Sequence, residues 1–568
     1  MLLSITDIKI TLSTSQMIRT LALIIFINFS VNSFALERPN ILIIMADDMG
    51  PRINALGDNV SITPALDDFV KSGTSYVNAF ATAGVCACSR SAFLTGKNQI
   101  SIGSMHMRTS SGGYVPYLAV PSPEIKAFPE ILRKFGYYTF TNDKLDYQFS
   151  GIFPGSGPFT IWDNENDLYG WKKRDITQPF FGIINLIVTH ESGLFYGIPD
   201  SLAYLPIMTM QKKIQRDYEA PISPEEVLIP PFYPDTDLVR KDISRLYNNI
   251  FILDKQFKDI LNELEKDGLL ENTIIIFSSD HSDGLPRYKR ELFDTGIKVP
   301  FIVNWSKTNF ATQFSKNTIS TDLVSFIDIA PTVLDIVGIN IPSYMDGISL
   351  LSKKNKYIYA ARDRLDDMPG RLRAIRSKNF KFIKNYMPEI VGAQKLAFRE
   401  NLKIMKELRS FHKNEKLDEV QSQWFKPIPL KQLYNLENDP FEINNLALKR
   451  EYQNILNELE AELDNWVTVN NDNGAIPEMD LINEFWPNQN QPLTKKPTIQ
   501  IKDNKIIINN DPSNPLASTG YKINSGVWKV YSEAIDLKGV KHITSKSVKY
   551  GWKESEEVSL IILSLIHI

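Results

Sequence analysis

The chain has 568 residues, enough to bury a large core, so one big domain plus a smaller addition is expected. Its composition is that of an ordinary globular protein, 43% hydrophobic and 23% charged. With 63 basic against 66 acidic residues the net charge is −3, and no long run of either sign suggests nucleic acid. Two cysteines, Cys86 and Cys88, exclude a disulfide framework.

At the N-terminus, Arg19 precedes the apolar run Leu21–Ile27, and Ser33-Phe-Ala35 follows as a small-x-small cleavage pattern. A charged start, a short apolar run and a small-residue site make residues 1–35 an export signal, too short to span a bilayer. Residues 1–16 fit poorly ahead of it, whereas Met17 gives a signal of ordinary shape and is the expected start. The plainer alternative is a buried N-terminal helix. On the export reading the mature protein is secreted or periplasmic, with no stable membrane span.

Asn40–Ala46 is a continuous apolar run, as in a strand covered on both faces, and ends in Asp47-Asp48. Asn272–Ser279 is a second such run, ending in Asp280-His281, and Val299–Val303 is a third. Helical patterns lie between and after them, at Pro129–Phe135, Leu238–Leu269 and Leu323–Val337. The alternation predicts an α/β fold, a large mostly parallel sheet flanked by helices. Such sheets bind ligands beyond the carboxyl ends of their strands, and both acidic pairs fall at such ends. Residues 469–496 are polar and turn-rich and read as a linker. After it, Thr498–Ile501, Lys505–Asn509 and Trp528–Tyr531 read as short strands of a small C-terminal β module, residues 497–558. Its segment Gly520–Ser555 resembles the small sandwich modules appended to secreted glycan enzymes.

The segment Cys86-Ala-Cys-Ser-Arg90, with Leu94-Thr-Gly96 after it, follows Asp47-Asp48 and precedes Asp280-His281 and Lys289. This ordered set resembles the sulfatase family, whose signature is Cys, any residue, Pro or Ala, any residue, Arg, then Thr-Gly. The resemblance spans residues 38–468 and implies the alkaline phosphatase/sulfatase-like fold. It also implies a maturation partner, a formylglycine-generating enzyme that oxidises Cys86, and a hydrated aldehyde as nucleophile. One hydroxyl of the hydrate attacks sulfur and the other expels sulfate by re-forming the aldehyde. Ca²⁺ suits an anionic sulfonyl group. The resemblance places it on Asp47, Asp48, Asp280, His281 and the oxidised Cys86. It further implies Arg90 on the hydrate oxygen, Lys144 and Lys289 on the sulfate oxygens, and His190 as the proton donor to the leaving group.

Taken singly, each piece has a plainer reading: an Asp-Asp after a strand caps a helix or turn, a cysteine is a small buried hydrophobe, and a Cys-x-Cys binds soft metals or does redox chemistry. Lys144 and Lys289 read as surface charges and His190 as a core histidine. The family order outweighs these readings. Two positions depart from it. Cys88 stands where the signature has Pro or Ala, and Asp146 stands where the family has a histidine two residues after the first lysine. Asp146 or His106 is expected to take over that histidine's role toward hydrate and substrate.

Gly136-Tyr-Tyr138, Asn142–Tyr147, Thr189–Ser192, Val227–Thr236, Leu285–Lys289, Ala361–Asp366, Arg373–Arg376 and Tyr386-Met-Pro388 are similar to the N-sulfoglucosamine sulfohydrolase branch, the heparan N-sulfatases. That likeness implies a sulfated saccharide substrate, the N-sulfate of glucosamine in heparan-type glycosaminoglycans. Arg362 and Arg364, with Arg373 and Arg376, are candidates for gripping its anionic groups. The alternative is that they form internal ion pairs with Asp363, Asp366 and Asp367. Competing functions are an O-sulfatase on another sulfated polysaccharide, a phosphatase or phosphodiesterase of the same superfold with Ser or Thr as nucleophile, and a non-catalytic glycan-binding relative.

Overall fold

The structure, a computed structural model, describes residues 38–109, 115–306, 308 and 316–562. The expected export signal at residues 1–35 lies outside them. Eight strands build the main sheet: β1 (Asn40–Ala46), β2 (Thr74–Phe80), β3 (Tyr138–Thr141), β4 (Phe180–Leu186), β5 (Thr273–Ser279), β6 (Lys298–Val299), β7 (Phe301–Asn304) and β8 (Thr318–Ser325). Their order is β3-β4-β1-β5-β7-β2-β6, with β8 beside β2. β3, β4, β1 and β5 run parallel, as the apolar runs predict.

All seven residues of β1 are buried, and the pleat divides them. Leu42, Ile44 and Ala46 pack with Ile243, Leu246 and Ile250 of the helix Asp237–Lys266. Ile41, Ile43 and Met45 pack on the opposite face with Phe181, Ile274 and Val333. Each large side chain so buried contributes about 1.5–3 kcal/mol. The long helix starts at Thr236, whose hydroxyl accepts from Val239 N, and buries a stripe at helical spacing.

Three segments differ from the sequence reading. The run Val299–Val303 is broken by Pro300, which has no N–H to give a ladder. Lys298–Val299 pairs with β2, and Phe301–Asn304 pairs antiparallel with β5 and β2, so this half of the sheet is mixed. The helical pattern at Leu323–Val337 begins as strand, because Leu323–Ser325 pair with β2. A capping box between Ser325 and Asp328 then opens the 3-10 turn Phe326–Asp328, which runs on into the helix Ile329–Ile336. The expected linker contains the helix Glu478–Phe485, whose Leu481, Ile482 and Phe485 are buried against Leu433, Leu456 and Leu463. Their apolar spacing is helical, but asparagines and prolines on either side mask it.

A second, antiparallel sheet has the order β12-β11-β10-β9, formed by β9 (Ile358–Arg362), β10 (Leu372–Arg376), β11 (Phe380–Asn385) and β12 (Lys431–Asn435). The C-terminal module folds as two small antiparallel sheets over a core of Ile506, Ile508, Val540 and Ile543. It is fastened to the rest by the buried carboxylate of Glu130, which accepts from Ser518 Oγ and Tyr550 Oη, each at 2.8 Å.

Candidate active site

Because β4, β1 and β5 are parallel neighbours, their carboxyl ends present His190, Asp47-Asp48 and Asp280-His281 at one edge. Asp47 N bonds Leu186 O at 3.1 Å and Asp280 N bonds Ala46 O at 3.3 Å, so the ladders run right up to the acidic pairs. The helix Cys86–Thr95 points its first residue at this edge, with all ten of its residues buried. Its unpaired N–H groups and dipole favour negative charge at Cys86. The helix stops at Gly96, whose φ of +65° few side-chain-bearing residues adopt. Asp48 itself is held at φ +60°, a cost that active sites tolerate when the surroundings impose it.

Cys86 Sγ lies 3.3 Å from His281 Nε2 and 3.7 Å from Asp48 Oδ1. Arg90, one turn along, donates to Asp280 Oδ2 at 2.8 Å and Asn185 Oδ1 at 2.7 Å, and reaches Asp47 Oδ1 at 3.4 Å. Lys144 Nζ grips both oxygens of Asp47 at 2.7 and 2.8 Å, and Lys289 Nζ bonds Asp48 Oδ2 at 2.6 Å. Burial opposes ionisation of these carboxyls. Lys144 and Arg90 outweigh it at Asp47, and Lys289 with His281 outweighs it at Asp48, so both are held well below the usual carboxylate range. The same pairings, against the cost of burial, keep both lysines charged above their ordinary range. His190 goes the other way: burial, then Lys289, depress it to about 4, and its Nδ1 sits 2.8 Å from Ser192 Oγ.

The donor set fits a divalent cation. Ligand atoms of Asp48, Cys86, Asp280 and His281 lie within 4.8 Å of one another. His281 Nδ1 is 2.8 Å from Ser282 O, which only accepts, so Nδ1 carries a proton and Nε2 faces the cluster, 3.1 Å from Asp48 Oδ1. Burial opposes charging the ring, but Asp280 and Asp48 raise its affinity for a proton well above the ordinary value, so Nε2 holds a proton toward Asp48 in the place a bound cation would take. Asp47, the remaining expected ligand, stands beside this group with its carboxylate on Lys144 and Arg90, as Asp48 is on Lys289 and Asp280 on Arg90.

The other expected site residues go to different places. Asp146 is buried beside the cluster, 3.6 Å from Lys144 Nζ, and accepts from Arg108 Nη1 at 2.7 Å. Burial opposes it, but Arg108 and Lys144 pull its carboxyl down to about 2. His106 does not join Cys86. Its strongest electrostatic neighbours are Glu478, Asp363, Arg364 and Arg373, and neither ring nitrogen hydrogen-bonds a described residue. Arg364 forms a 2.6 Å ion pair with Glu478, and Arg362 donates to Gln394 Oε1 at 2.7 Å with Glu291 3.5 Å away. Arg373 is locked between Asp363 and Asp472, and Arg376 pairs with Asp294. These four arginines are therefore internal ion-pair and hydrogen-bond partners, the alternative reading, and mostly with acids remote in sequence.

Three features escaped the sequence. Asn185, near the end of β4, orients Arg90. Glu191 donates its backbone N–H to Asp48 Oδ2 at 2.8 Å and holds Arg290 in a two-pronged pair at 3.0 and 2.9 Å. Arg108 closes on Asp146 from 38 residues away. Adjacency to His190 was a signal for Glu191; none existed for Arg108.

The family model for sulfatases matches residues 39–339, and that for the N-sulphoglucosamine sulphohydrolase C-terminal region matches residues 287–426. An ulvan-active sulfatase of Formosa agariphila is 39% identical over 92% of this chain and 91% of its own. The human N-sulphoglucosamine sulphohydrolase is 23% identical over 80% of this chain and 95% of its own. Among solved structures, one in complex with its substrate D-glucosamine-2-N,6-O-disulfate aligns with a TM-score of 0.51 at 18% identity, covering 77% of this chain and 99% of that one. A 2-O glycosaminoglycan sulfatase aligns at 0.53 and 18%, covering 77% and 93%. At these identities the structures speak for the fold alone.

Proposed function

The chain belongs to the sulfatase family, and on that footing we propose that it is an exported enzyme that releases O-linked sulfate from an ulvan-type polysaccharide. The carrying observation is the constellation at the sheet edge: Cys86 at a helix N-terminus, against Asp48, Asp280 and His281, between Lys144 and Lys289. The 39% relative covers nearly the whole chain and supports the polysaccharide class. Among the described residues no helix is long and apolar enough to cross a membrane.

With Cys86 oxidised to formylglycine, the hydrate supplies both the attacking oxygen and the means of expelling sulfate. Asp48, Asp280, His281 and residue 86 would hold Ca²⁺, which supplies Lewis acidity toward the sulfonyl oxygens and the hydrate. Arg90, one turn beyond residue 86 and within electrostatic reach of it, fixes Asp280 and would steady the hydrate's oxygen. Lys144 and Lys289 bring positive charge to opposite sides of the cluster, where charge on the sulfonyl oxygens builds up. His190, aligned by Ser192, is the group that would pass a proton to the departing oxygen, taking up that proton once the anionic sulfate enters beside it. Retention of both lysines beside the acids supports catalysis over mere glycan binding, and a cysteine in the nucleophile's place speaks against a phosphatase. Metal choice follows maturation. The unoxidised thiol with His281 suits zinc, whereas an oxygen-bearing residue 86 suits calcium. Elemental analysis of protein carrying formylglycine should find stoichiometric calcium; stoichiometric zinc, with zinc restoring activity after chelation, would refute the assignment.

A second reading is hydrolysis of the N-sulfate of glucosamine in heparan-type saccharides, supported by the C-terminal family match and the 23% human relative. An amine leaves only when protonated, so His190→Ala should cost an N-sulfated sugar at least about tenfold more than an aryl sulfate, whose phenolate needs little help. Sulfate release from ulvan oligosaccharides and from N-sulfoglucosamine, measured on wild type and on this variant, separates the readings. Release from N-sulfoglucosamine alone would overturn the ulvan assignment. The mass of the Cys86 peptide from the native host tests the class itself: an unmodified thiol in active protein would sink it.

A further inference from the structure

The cluster around Cys86 is deeply buried, and its openings are marked by the residues that keep some exposure. Cys86, Asp48, Asp280 and His281 are at 0%, Lys144 and His190 at 8%, while the Arg108 side chain reaches 23%. Arg108 therefore stands at the rim. Its backbone is held at φ +59°, and Asp146, its partner, at φ +53°. Two such strained positions facing each other are kept only where the surroundings require them.

A relay of charge runs inward from this rim. Arg108 donates to Asp146 Oδ1 at 2.7 Å, Asp146 Oδ2 lies 3.6 Å from Lys144 Nζ, and Lys144 holds Asp47. Among the described residues Arg108 hydrogen-bonds Asp146 alone, leaving donors of a five-donor fork uncommitted. Cys86 and Asp366 are within electrostatic reach of its guanidinium. On the sulfatase reading the scissile sulfate meets residue 86 on the floor, between Lys144 and Lys289. Arg108, part-exposed and tied to Asp146, stands beside that floor, where the rest of the sugar would remain at the rim.

We propose that Arg108, positioned by Asp146, forms a subsite for a second oxyanion of the saccharide, a carboxylate or an additional sulfate next to the one being released. The inference rests on the sulfatase reading and deepens it. A planar fork matches either oxyanion with paired hydrogen bonds, which a lysine ammonium does not. A single-anion substrate leaves the fork unused.

The test compares four probes: an aryl sulfate, a sulfated oligosaccharide carrying a uronate, the same oligosaccharide with that carboxyl reduced to an alcohol, and one whose additional sulfate is removed. Wild type should prefer the probe with the second oxyanion, and whichever deletion abolishes the preference identifies the group. Arg108→Gln should raise KM for the preferred probe about tenfold or more, the worth of a charge-assisted hydrogen bond, and collapse the preference ratio. Asp146→Asn should lower the ratio part of the way, in KM more than in kcat. Calorimetric binding of the preferred oligosaccharide to Cys86→Ala protein, with and without Arg108→Gln, gives a readout free of turnover. Binding that depends on Arg108 without any wild-type sulfate release would defeat the sulfatase reading and keep the subsite. Turnover with an unchanged ratio in Arg108→Gln would overturn the subsite. So would an equal loss on the aryl sulfate, which would put Arg108 on the scissile group.

Discussion

Two regions of this molecule bury dense charge, and they do so differently. In and around the antiparallel sheet the arginines are closed off. Arg373 is fully buried with a two-pronged pair to Asp363 and another to Asp472, Arg364 sits on Glu478, and Arg376 on Asp294. At the parallel strand ends the lysines are paired, but the centre is not closed. His281 Nε2 sits 3.1 Å from Asp48 Oδ1, and Cys86 lies against both. A charge cluster that pairs off completely holds structure together; one that gathers carboxylates, a thiol and an imidazole around one point has the donors for a cation.

The largest effect should come from the open cluster. Cys86→Ala should cut sulfate release by on the order of 10⁴-fold or more, with a wild-type thermal unfolding midpoint. Cys88→Ala, two residues on, buried with its thiol on Met105 O at 3.2 Å, should keep most activity. The reverse pattern would show that the register of the signature is misplaced. The closed cluster should fail in the other currency. Arg373→Met strands the buried carboxylate of Asp363, leaves Asp472 to Arg371 alone among cations, and should cost about 3–5 kcal/mol in urea unfolding, while kcat of the remaining folded protein falls far less than for Cys86→Ala. A loss below about 1 kcal/mol would erase the contrast.

The smallest effect sharpens the comparison by pH. Burial lifts the carboxyl of Glu442 to about 7, against the pull of Lys381 and with the help of Asp294. An unfolded glutamate titrates near about 4.3, so between the two values the folded state holds a proton that the unfolded state has released. Stability from this group is therefore full below about 4.3 and declines as pH rises to about 7. Glu442→Gln should flatten that decline by about 2 kcal/mol in unfolding experiments from pH 4.5 to 7.5. An unchanged slope would mean that Lys381 keeps the carboxylate charged throughout.

The sequence by itself determined the strands that carry the site, because β1 and β5 must be apolar on both faces and their runs end abruptly in acids. It also set Cys86 and Arg90 together, since Cys86–Arg90 is a local motif on one helical turn. The partners of the charges were decided by tertiary structure alone. Asp47 reads like Asp48, but in space they meet different lysines, Lys144 at Asp47 and Lys289 at Asp48. Arg364 and Arg373 read as a substrate grip, and the folded chain brings them Glu478 and Asp472 from a segment that reads as linker. Arg108 had no signal, because its meaning depends on Asp146 arriving from another loop. Burial and periodicity are properties of short stretches and can be read along the chain; ion pairing acts through space over a few ångströms, between residues whose separation in sequence carries no trace of it.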